Sequence, residues 1–263
     1  MNLGIGGKTA LVTGSSQGIG RAVAESLARE GVNLALAARS DDRLNAAARE
    51  ICERHHVRAF AVPCDLARRE GISSLVYAVT KALGGIDILV TNAGGPPSGS
   101  FERTPEEGWF QTFDLTLMSV VRLCREILPG MQARRWGRIV HLASVSVKQP
   151  LPQLVLSNSM RSAVAGLSKT LAEEYAGFGI TVNCVAPGFT ATARLSELAA
   201  SLARTRGVTE DEVRAGWVAS VPAGRLGEPE EVGDLVAFLA SERAAYVNGT
   251  VIAVDGGFSK GLL

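Results

Sequence analysis

Seven short apolar runs recur along the chain, and helical patterns lie between them. The runs occupy residues 9–12, 33–38, 58–62, 86–91, 138–143, 181–186 and 251–254. Strands that alternate with helices are typical of parallel strands joined by helical crossovers. Nearly continuous apolar runs such as residues 86–90 favour strands that are covered on both faces. The pattern predicts an α/β fold, a doubly wound parallel seven-stranded sheet with helices on both faces.

A glycine-rich turn follows the first run. Residues 13–20 read Thr-Gly-Ser-Ser-Gln-Gly-Ile-Gly, and a helical pattern begins near Arg21. Gly14 allows a sharp turn, Gly18 and Gly20 allow a diphosphate to approach, and free N–H groups at the helix start attract its charge. The alternative is a plain tight turn, but the strand before it and the helix after it favour a Rossmann fold. The predicted cofactor-binding residues here are Gly14, Ser16, Gln17, Gly18, Ile19 and Gly20.

Length and charge limit the partners that this chain can have. Its 263 residues are 46% hydrophobic and carry a formal net charge of +1. Such a chain can bury one substantial core, so we expect one domain over residues 1–263. The charge balance gives no basis for binding nucleic acid or an anionic membrane. No apolar run approaches the roughly 18 residues of a membrane span, and no signal peptide is recognisable, so we expect a cytoplasmic protein.

The cysteines indicate neither a metal site nor a disulfide framework. Cys52, Cys64, Cys124 and Cys184 are widely spaced and form no C-x-x-C pair. Cys52 lies close to two histidines, residues 55 and 56, but a fourth ligand is missing. Imidazoles near the end of a helix also interact favourably with its dipole. The sequence therefore predicts no metal.

The residue after the second strand distinguishes the two nicotinamide cofactors. A dinucleotide fold places this residue, here Arg39, at the adenosine ribose. A guanidinium pairs with the extra phosphate of NADP, whereas an acid would bond to the ribose hydroxyls of NAD. The alternative is a solvated arginine neutralised by Asp41 and Asp42. Arg39 favours NADP, with NAD possible.

Further motifs resemble the short-chain dehydrogenase/reductase family over nearly the whole chain, and within it the 3-oxoacyl carrier-protein reductases. Besides the glycine turn, they are Cys64-Asp65-Leu66, Thr91-Asn92-Ala93-Gly94, Gly137-Arg138-Ile139-Val140, Pro187-Gly188 with Thr192, and Val254-Asp255-Gly256-Gly257. The resemblance implies hydride transfer between a nicotinamide and a carbonyl or alcohol carbon. It also implies that Asp65, beside Leu66, meets the adenine. By the same resemblance Asn92, Ala93 and Gly94 line the cofactor cleft, and Pro187, Gly188 and Thr192 hold the nicotinamide end.

The family's catalytic group is largely replaced. That group is usually an asparagine, a serine, a tyrosine and a lysine, the last two four residues apart on one helix face. Aligned from the kept serine, Ser144, the tyrosine has become Ser157, the lysine Arg161 and the asparagine Thr116. Neither tyrosine after Ser144, Tyr175 or Tyr246, is followed four residues later by lysine, and the one such pair, Tyr77 with Lys81, lies well before Ser144 in the sequence. A serine is a much weaker acid than a phenol of pKa about 10, and an arginine charged above pH 12 or so relays no proton.

Two hypotheses follow from this departure. In the first, an oxidoreductase, Ser144 bonds to the reacting oxygen, Ser157 or Lys148 supplies the proton, and Arg161 anchors the ribose or pairs with a substrate carboxylate. Lys148 suits this role only if desolvation lowers its pKa, and a solvated loop lysine is the alternative. The second hypothesis is a nucleotide-binding pseudoenzyme that acts as a sensor or partner subunit. The glycine turn and the cleft residues favour the enzyme.

One segment interrupts the rhythm of strands and helices. Helical patterns over residues 192–206 and 209–218 precede the next strand. An insertion beyond the carboxyl end of a strand overhangs the ligand crevice, so we expect a substrate lid over residues 189–227. The family resemblance also implies oligomer contacts along residues 162–172 and 258–263, and hence a homotetramer. A monomer that buries these groups internally is the alternative.

Overall fold

Seven parallel strands form one sheet in the computed structural model, which describes residues 1–261 without the side chain of Asp41. The strands are β1 (Thr9–Thr13), β2 (Asn33–Ala38), β3 (Ala59–Pro63), β4 (Ile88–Thr91), β5 (Gly137–Leu142), β6 (Ile180–Pro187) and β7 (Val251–Val254). Their order is β3-β2-β1-β4-β5-β6-β7. All six pairings are parallel, which confirms the predicted doubly wound sheet. The order reverses between β1 and β4, and a ligand crevice opens at such a switch point.

Helices connect the strands and cover both faces of the sheet. They are α1 (Gly18–Arg29), α2 (Asp41–His55), α3 (Arg69–Leu83), α4 (Glu106–Thr112), α5 (Ser119–Arg134), α6 (Val155–Tyr175), α7 (Ala193–Arg206), α8 (Glu210–Ser220) and α9 (Pro229–Leu239). A π-helical turn, Phe113–Met118, joins α4 to α5. None of the helices within residues 1–261 has the length and apolar content needed to cross a bilayer.

The core consists of two apolar clusters, one on each face of the sheet. Neighbouring residues of β5 alternate between them, because side chains of a strand point to opposite faces. Val140 packs in the cluster with residues of α1, α2 and α9, and Ile139 packs in the cluster with residues of α3, α5 and α6. Every residue of β5 is buried. Burial on both faces explains the nearly continuous apolar runs in the sequence.

Two element boundaries differ from the sequence-based expectation. Helix α1 begins at Gly18 rather than near Arg21, so the glycine turn itself opens the helix. Strand β4 begins at Ile88 rather than at residue 86. Polar contacts occupy the two residues before it: the carbonyl of Ile86 accepts a hydrogen bond from Arg134 at 2.6 Å, and Asp87 accepts one from the Thr9 amide at 3.1 Å.

The lid segment, residues 189–227, contains α7 and α8 and has an apolar cluster of its own. Leu195, Ala199, Leu202, Ala203, Val213 and Trp217 form this cluster. The Phe189 ring stacks on Trp217 with centroids 5.2 Å apart, and a parallel bridge between Thr190 and Gly227 closes the base of the segment. The segment predicted to be a lid therefore has a packed core of its own. Of the predicted oligomer contacts, residues 262 and 263 lie outside the described residues.

Candidate active site

A cavity of about 550 Å³ lies at the carboxyl ends of the central strands. Of the residues predicted for cofactor and substrate, Gly14, Gln17, Gly18, Ile19, Arg39, Asn92, Ala93, Gly94, Ser144, Ser157, Arg161, Pro187, Gly188 and Thr192 line it. The remaining predicted residues, Ser16, Gly20, Asp65, Leu66 and Lys148, do not line this cavity. The fold thus brings residues from distant parts of the sequence to one crevice.

Glycine is required at three positions of the turn. Gly14 and Gly18 have φ angles of +60° and +58°, in the left-handed region that favours glycine. A Cβ on Gly20 would lie 2.7 Å from Asn92 Nδ2 and closer still to the Gly14 carbonyl oxygen. Asn92 holds the turn from the other side, since its Nδ2 donates to the Gly14 carbonyl at 3.1 Å. The turn is therefore fixed between β1 and β4.

The first turn of α1 keeps its backbone amides available to a ligand. The residue before the helix, Gln17, makes no side-chain capping bond, and no acidic residue stands in the first turn. Gln17 and Gly18 both line the cavity. Uncapped amides and the helix dipole attract an anion, so the residues present fit the diphosphate of a dinucleotide.

Two arginines, rather than one, stand at the end of the cavity next to α2. Arg39 and Arg43 both line it, and Arg39 makes no hydrogen bond or ion pair within the described chain. Arg43 donates to Gln17 Oε1 at 2.9 Å and to Ser40 Oγ at 3.3 Å. Sequence reasoning missed Arg43, although an arginine in the first turn of the helix after Arg39 was a usable signal.

The residues predicted at the adenine stand apart from the cavity. Asp65 is exposed, accepts a hydrogen bond from the Ala67 amide at 3.1 Å and lies 3.8 Å from Arg68. Leu66 is buried in the apolar cluster beneath α3 and α5. A contact between Asp65 and the adenine stays a prediction.

Two hydroxyl groups face the other end of the cavity. The Ser144 Oγ accepts a hydrogen bond from the Ser146 amide at 3.1 Å, so its own proton is left for another acceptor. Ser157 is buried in the first turn of α6, and its hydroxyl makes no hydrogen bond within residues 1–261. Lys148 is exposed and lies outside the cavity. The structure thus brings Ser157, and not Lys148, together with Ser144.

Arg161 lies in the same part of the cavity, one helical turn after Ser157. Its Nη1 donates to the carbonyl oxygens of Leu142 and Ala143, at 3.1 and 2.5 Å. No carboxylate pairs with it in the described part of the chain. Burial, together with the nearby Arg194 cation, lowers the pKa of Arg161 to about 10. Arg161 is therefore a cation whose charge the protein leaves uncompensated.

Thr116 lies in the π-helical turn, next to the same small cavity as Arg161. It lines a small internal cavity of about 20 Å³ that Arg161 and Thr91 also line, enough for one water molecule. The Thr116 hydroxyl is buried and has no hydrogen-bond partner among the described residues. Below it, a hydrogen bond of 2.7 Å joins Thr91 Oγ1 to His141 Nδ1, and burial lowers the pKa of His141 to about 4. A π-helical turn often marks a functional site.

The cysteine and histidines near the end of α2 are used for other contacts. The Cys52 thiol bonds to the main chain of Ala59, and His55 Nε2 lies 2.7 Å from a carboxylate oxygen of Glu25. Within residues 1–261, no group of three or more His, Cys, Asp or Glu residues is placed to hold a metal ion.

This geometry defines a class of protein. A glycine turn at the start of a helix, at the point where the strand order reverses, is the mark of a dinucleotide-binding α/β fold. The model of the enoyl-(acyl carrier protein) reductase family matches residues 14–259 of the chain. The chain belongs to this family of short-chain dehydrogenases/reductases, and it is an oxidoreductase of that type.

Curated relatives and solved structures agree with the family. A 3-oxoacyl-[acyl-carrier-protein] reductase from Haemophilus influenzae is 38% identical over 251 residues, covering 95% of this chain and 98% of the relative. L-sorbose reductase from Gluconobacter frateurii, solved with NADPH and L-sorbose, is 40% identical with a TM-score of 0.94 over 100% of both chains. An actinorhodin polyketide ketoreductase variant with NADPH is 34% identical, with a TM-score of 0.93 over 97% of this chain and 98% of that one. These proteins are reductases, which gives no support to the pseudoenzyme hypothesis.

Proposed function

We propose that the protein reduces a carbonyl compound with NADPH as the hydride source. The observation that carries this proposal is the single cavity that joins the glycine turn and Arg39 to Ser144, Ser157 and Arg161. The relatives support it, because two of the similar solved proteins carry NADPH and the curated relative is named for a 3-oxoacyl substrate. The lid segment, residues 189–227, would close over that substrate as part of one domain.

The chain's own residues would provide the hydrogen bonds and charge of the reaction. When bound, the nicotinamide supplies the hydride. Ser144 and Ser157 donate hydrogen bonds to the carbonyl oxygen, and the Arg161 cation stabilises the negative charge that develops there. The proton passes to that oxygen from the Ser157 hydroxyl, which regains one from solvent through the cavity. Two neutral hydroxyls are weaker acids than a phenol, so we expect slow turnover.

We expect Ser144→Ala to lower kcat/KM about 100-fold or more, by analogy with the loss of one donor to a developing oxyanion. Lys148→Ala should leave kcat/KM unchanged, since Lys148 is exposed outside the cavity. The measurement is NADPH oxidation with a panel of small ketones, aldehydes and 3-oxoacyl thioesters. Tight NADPH binding with no turnover across the panel would favour the sensor hypothesis. A large loss of kcat/KM with Lys148→Ala would instead indicate that Lys148 is the proton donor.

The cofactor preference has its own test. The Arg39 and Arg43 guanidinium groups would share the 2′-phosphate of NADPH, a charge-assisted contact absent from NADH. We expect Arg43→Ala to raise the Kd of NADPH on the order of tenfold and to leave the Kd of NADH nearly unchanged, as measured by calorimetry. Arg39→Ala should act in the same direction. Equal effects on both cofactors would show that these arginines do not recognise the phosphate.

We also infer a homotetramer, as the resemblance to the family implies, in the cytoplasm that the sequence predicts. The exposed rings of Phe110 and Phe113, on and next to α4, support an interface between copies, because exposed apolar patches commonly mark contact surfaces.

A further inference from the structure

The charged side chains that line the cavity are strongly unbalanced. They are Arg39, Arg43, Arg161, Arg194 and Glu197, four guanidinium groups and one carboxylate. Arg39 and Arg43 stand at the α2 end, where the 2′-phosphate of the cofactor would compensate them. Arg161 and Arg194 stand at the end with Ser144 and Ser157, where the substrate would bind. This end carries a net positive charge before any substrate arrives.

The cofactor would not remove that charge. Arg161 donates only to the main-chain carbonyls of Leu142 and Ala143 within the described residues. If Arg161 anchored the ribose of the cofactor, it would contact neutral hydroxyl groups. These groups accept hydrogen bonds but do not cancel the charge of Arg161. Arg194 is near enough to depress the pKa of Arg161 further. Two cations therefore lie near one another at the substrate end.

Arg194 is the more accessible of the two cations. It stands in the first turn of α7, and its Nη2 donates to the Pro96 carbonyl across the cavity at 2.7 Å. Its ion pair with Glu197 is 3.3 Å long, with 47% and 65% of the two side chains exposed. Exposed pairs of this kind contribute little to stability, so Arg194 can exchange Glu197 for a ligand carboxylate.

The remaining wall of this end is apolar. Leu151, Leu154, Phe189, Leu195 and Leu198 line it. Such a surface favours a hydrocarbon chain over the hydroxylated carbons of a sugar or another polyol. An apolar wall beside an accessible guanidinium suits a molecule with a hydrocarbon body and one anionic group.

We propose that the substrate is an oxo acid, a carbonyl compound whose own carboxylate is bound by Arg194 while its chain packs on the leucines. This inference rests on the proposed function, since it names the substrate class of the same site. Arg161 adds to the positive field at the reacting oxygen and does not contact the carboxylate. Glu197 competes with the substrate for Arg194.

A non-reducible pair of probes tests the site without turnover. We expect calorimetry, with and without NADP⁺, to show hexanoate binding at least tenfold more tightly than methyl hexanoate. Arg194→Gln should remove this difference, Arg194→Lys should retain part of it, and Glu197→Gln should increase it. Equal binding of the two probes to the unaltered protein would overturn the proposal, as would a preference that Arg194→Gln leaves intact.

A reducible pair separates this inference from the proposed function. For 4-oxopentanoate and its methyl ester, we expect kcat/KM to favour the acid at least tenfold, mostly through KM, and Arg194→Gln to lower only the value for the acid. Turnover of both without preference would refute the oxo-acid proposal and leave the reductase in place. If the protein bound the acid in preference to its ester but consumed no NADPH, the proposed reductase activity would be refuted and the anion site at Arg194 would stand.

Discussion

Gly20→Ala is expected to raise the Kd of NADPH by up to about 100-fold and to lower the Tm. The added Cβ would lie 2.7 Å from Asn92 Nδ2 and closer to the Gly14 carbonyl oxygen, so the turn must open or the helix must shift. Overpacking of this kind costs roughly 1–3 kcal/mol, and about 3 kcal/mol corresponds to a hundredfold rise in Kd. Calorimetric titration with NADPH and a thermal melt measure the two effects.

Gly216→Ala is the matched control for this variant. Apart from its chain neighbours and the backbone of its own helix, no atom of the described chain lies within 4 Å of a Cβ built on Gly216, which is exposed on α8. Alanine is favoured over glycine in a helix by about 1 kcal/mol, so the Tm should stay the same or rise while NADPH binding is unchanged. If Gly20→Ala bound NADPH as tightly as the unaltered protein, the glycine turn would not be the diphosphate site.

Combining Ser157→Tyr with Arg161→Lys is expected to raise kcat by about 100- to 10,000-fold, the usual contribution of a positioned general acid. Residues 157 and 161 are one turn apart on α6, and both line the cavity. The lysine ammonium would lower the pKa of the new tyrosine and make it a better donor. The measurement is kcat for a carbonyl compound that the unaltered protein reduces, followed as a function of pH.

Ser157→Phe combined with Arg161→Lys provides a ring of similar size without the hydroxyl. This variant should show no gain in kcat and no new ionisation in its pH profile, although its NADPH Kd should match that of the tyrosine variant. Equal activity of the two double variants would mean that residue 157 does not face the reacting oxygen.

Most of the fold could be predicted from the sequence because its signals are local. The seven apolar runs agree with the seven strands to within two residues at either end, since strands buried on both faces must be apolar throughout. The glycine turn was equally readable, because Gly14 and Gly18 need left-handed φ angles that other residues rarely adopt.

The arrangement of the side chains in the site was less predictable, because it depends on contacts between distant parts of the chain. Arg194 donates to a carbonyl 98 residues away, at Pro96, and nothing near it in the sequence indicates this contact. Arg43 is held at the cavity by its hydrogen bond to Gln17, which lies 26 residues away in the sequence. Lys148, by contrast, is only four residues from Ser144, yet the short helical turn after Ser144 leaves it exposed outside the cavity.

The separate apolar cluster of the lid segment has an evolutionary consequence. Because α7 and α8 pack on each other and on Phe189, we expect replacements within that cluster to change the shape of the proposed substrate pocket while the glycine turn between β1 and β4 stays unchanged. Under the proposed function, selection can therefore change the preferred substrate while the residues that bind the nucleotide are kept. We expect a graft of residues 195–226, which leaves the cofactor residue Thr192 in place, to transfer the preference of the relative from which it is taken.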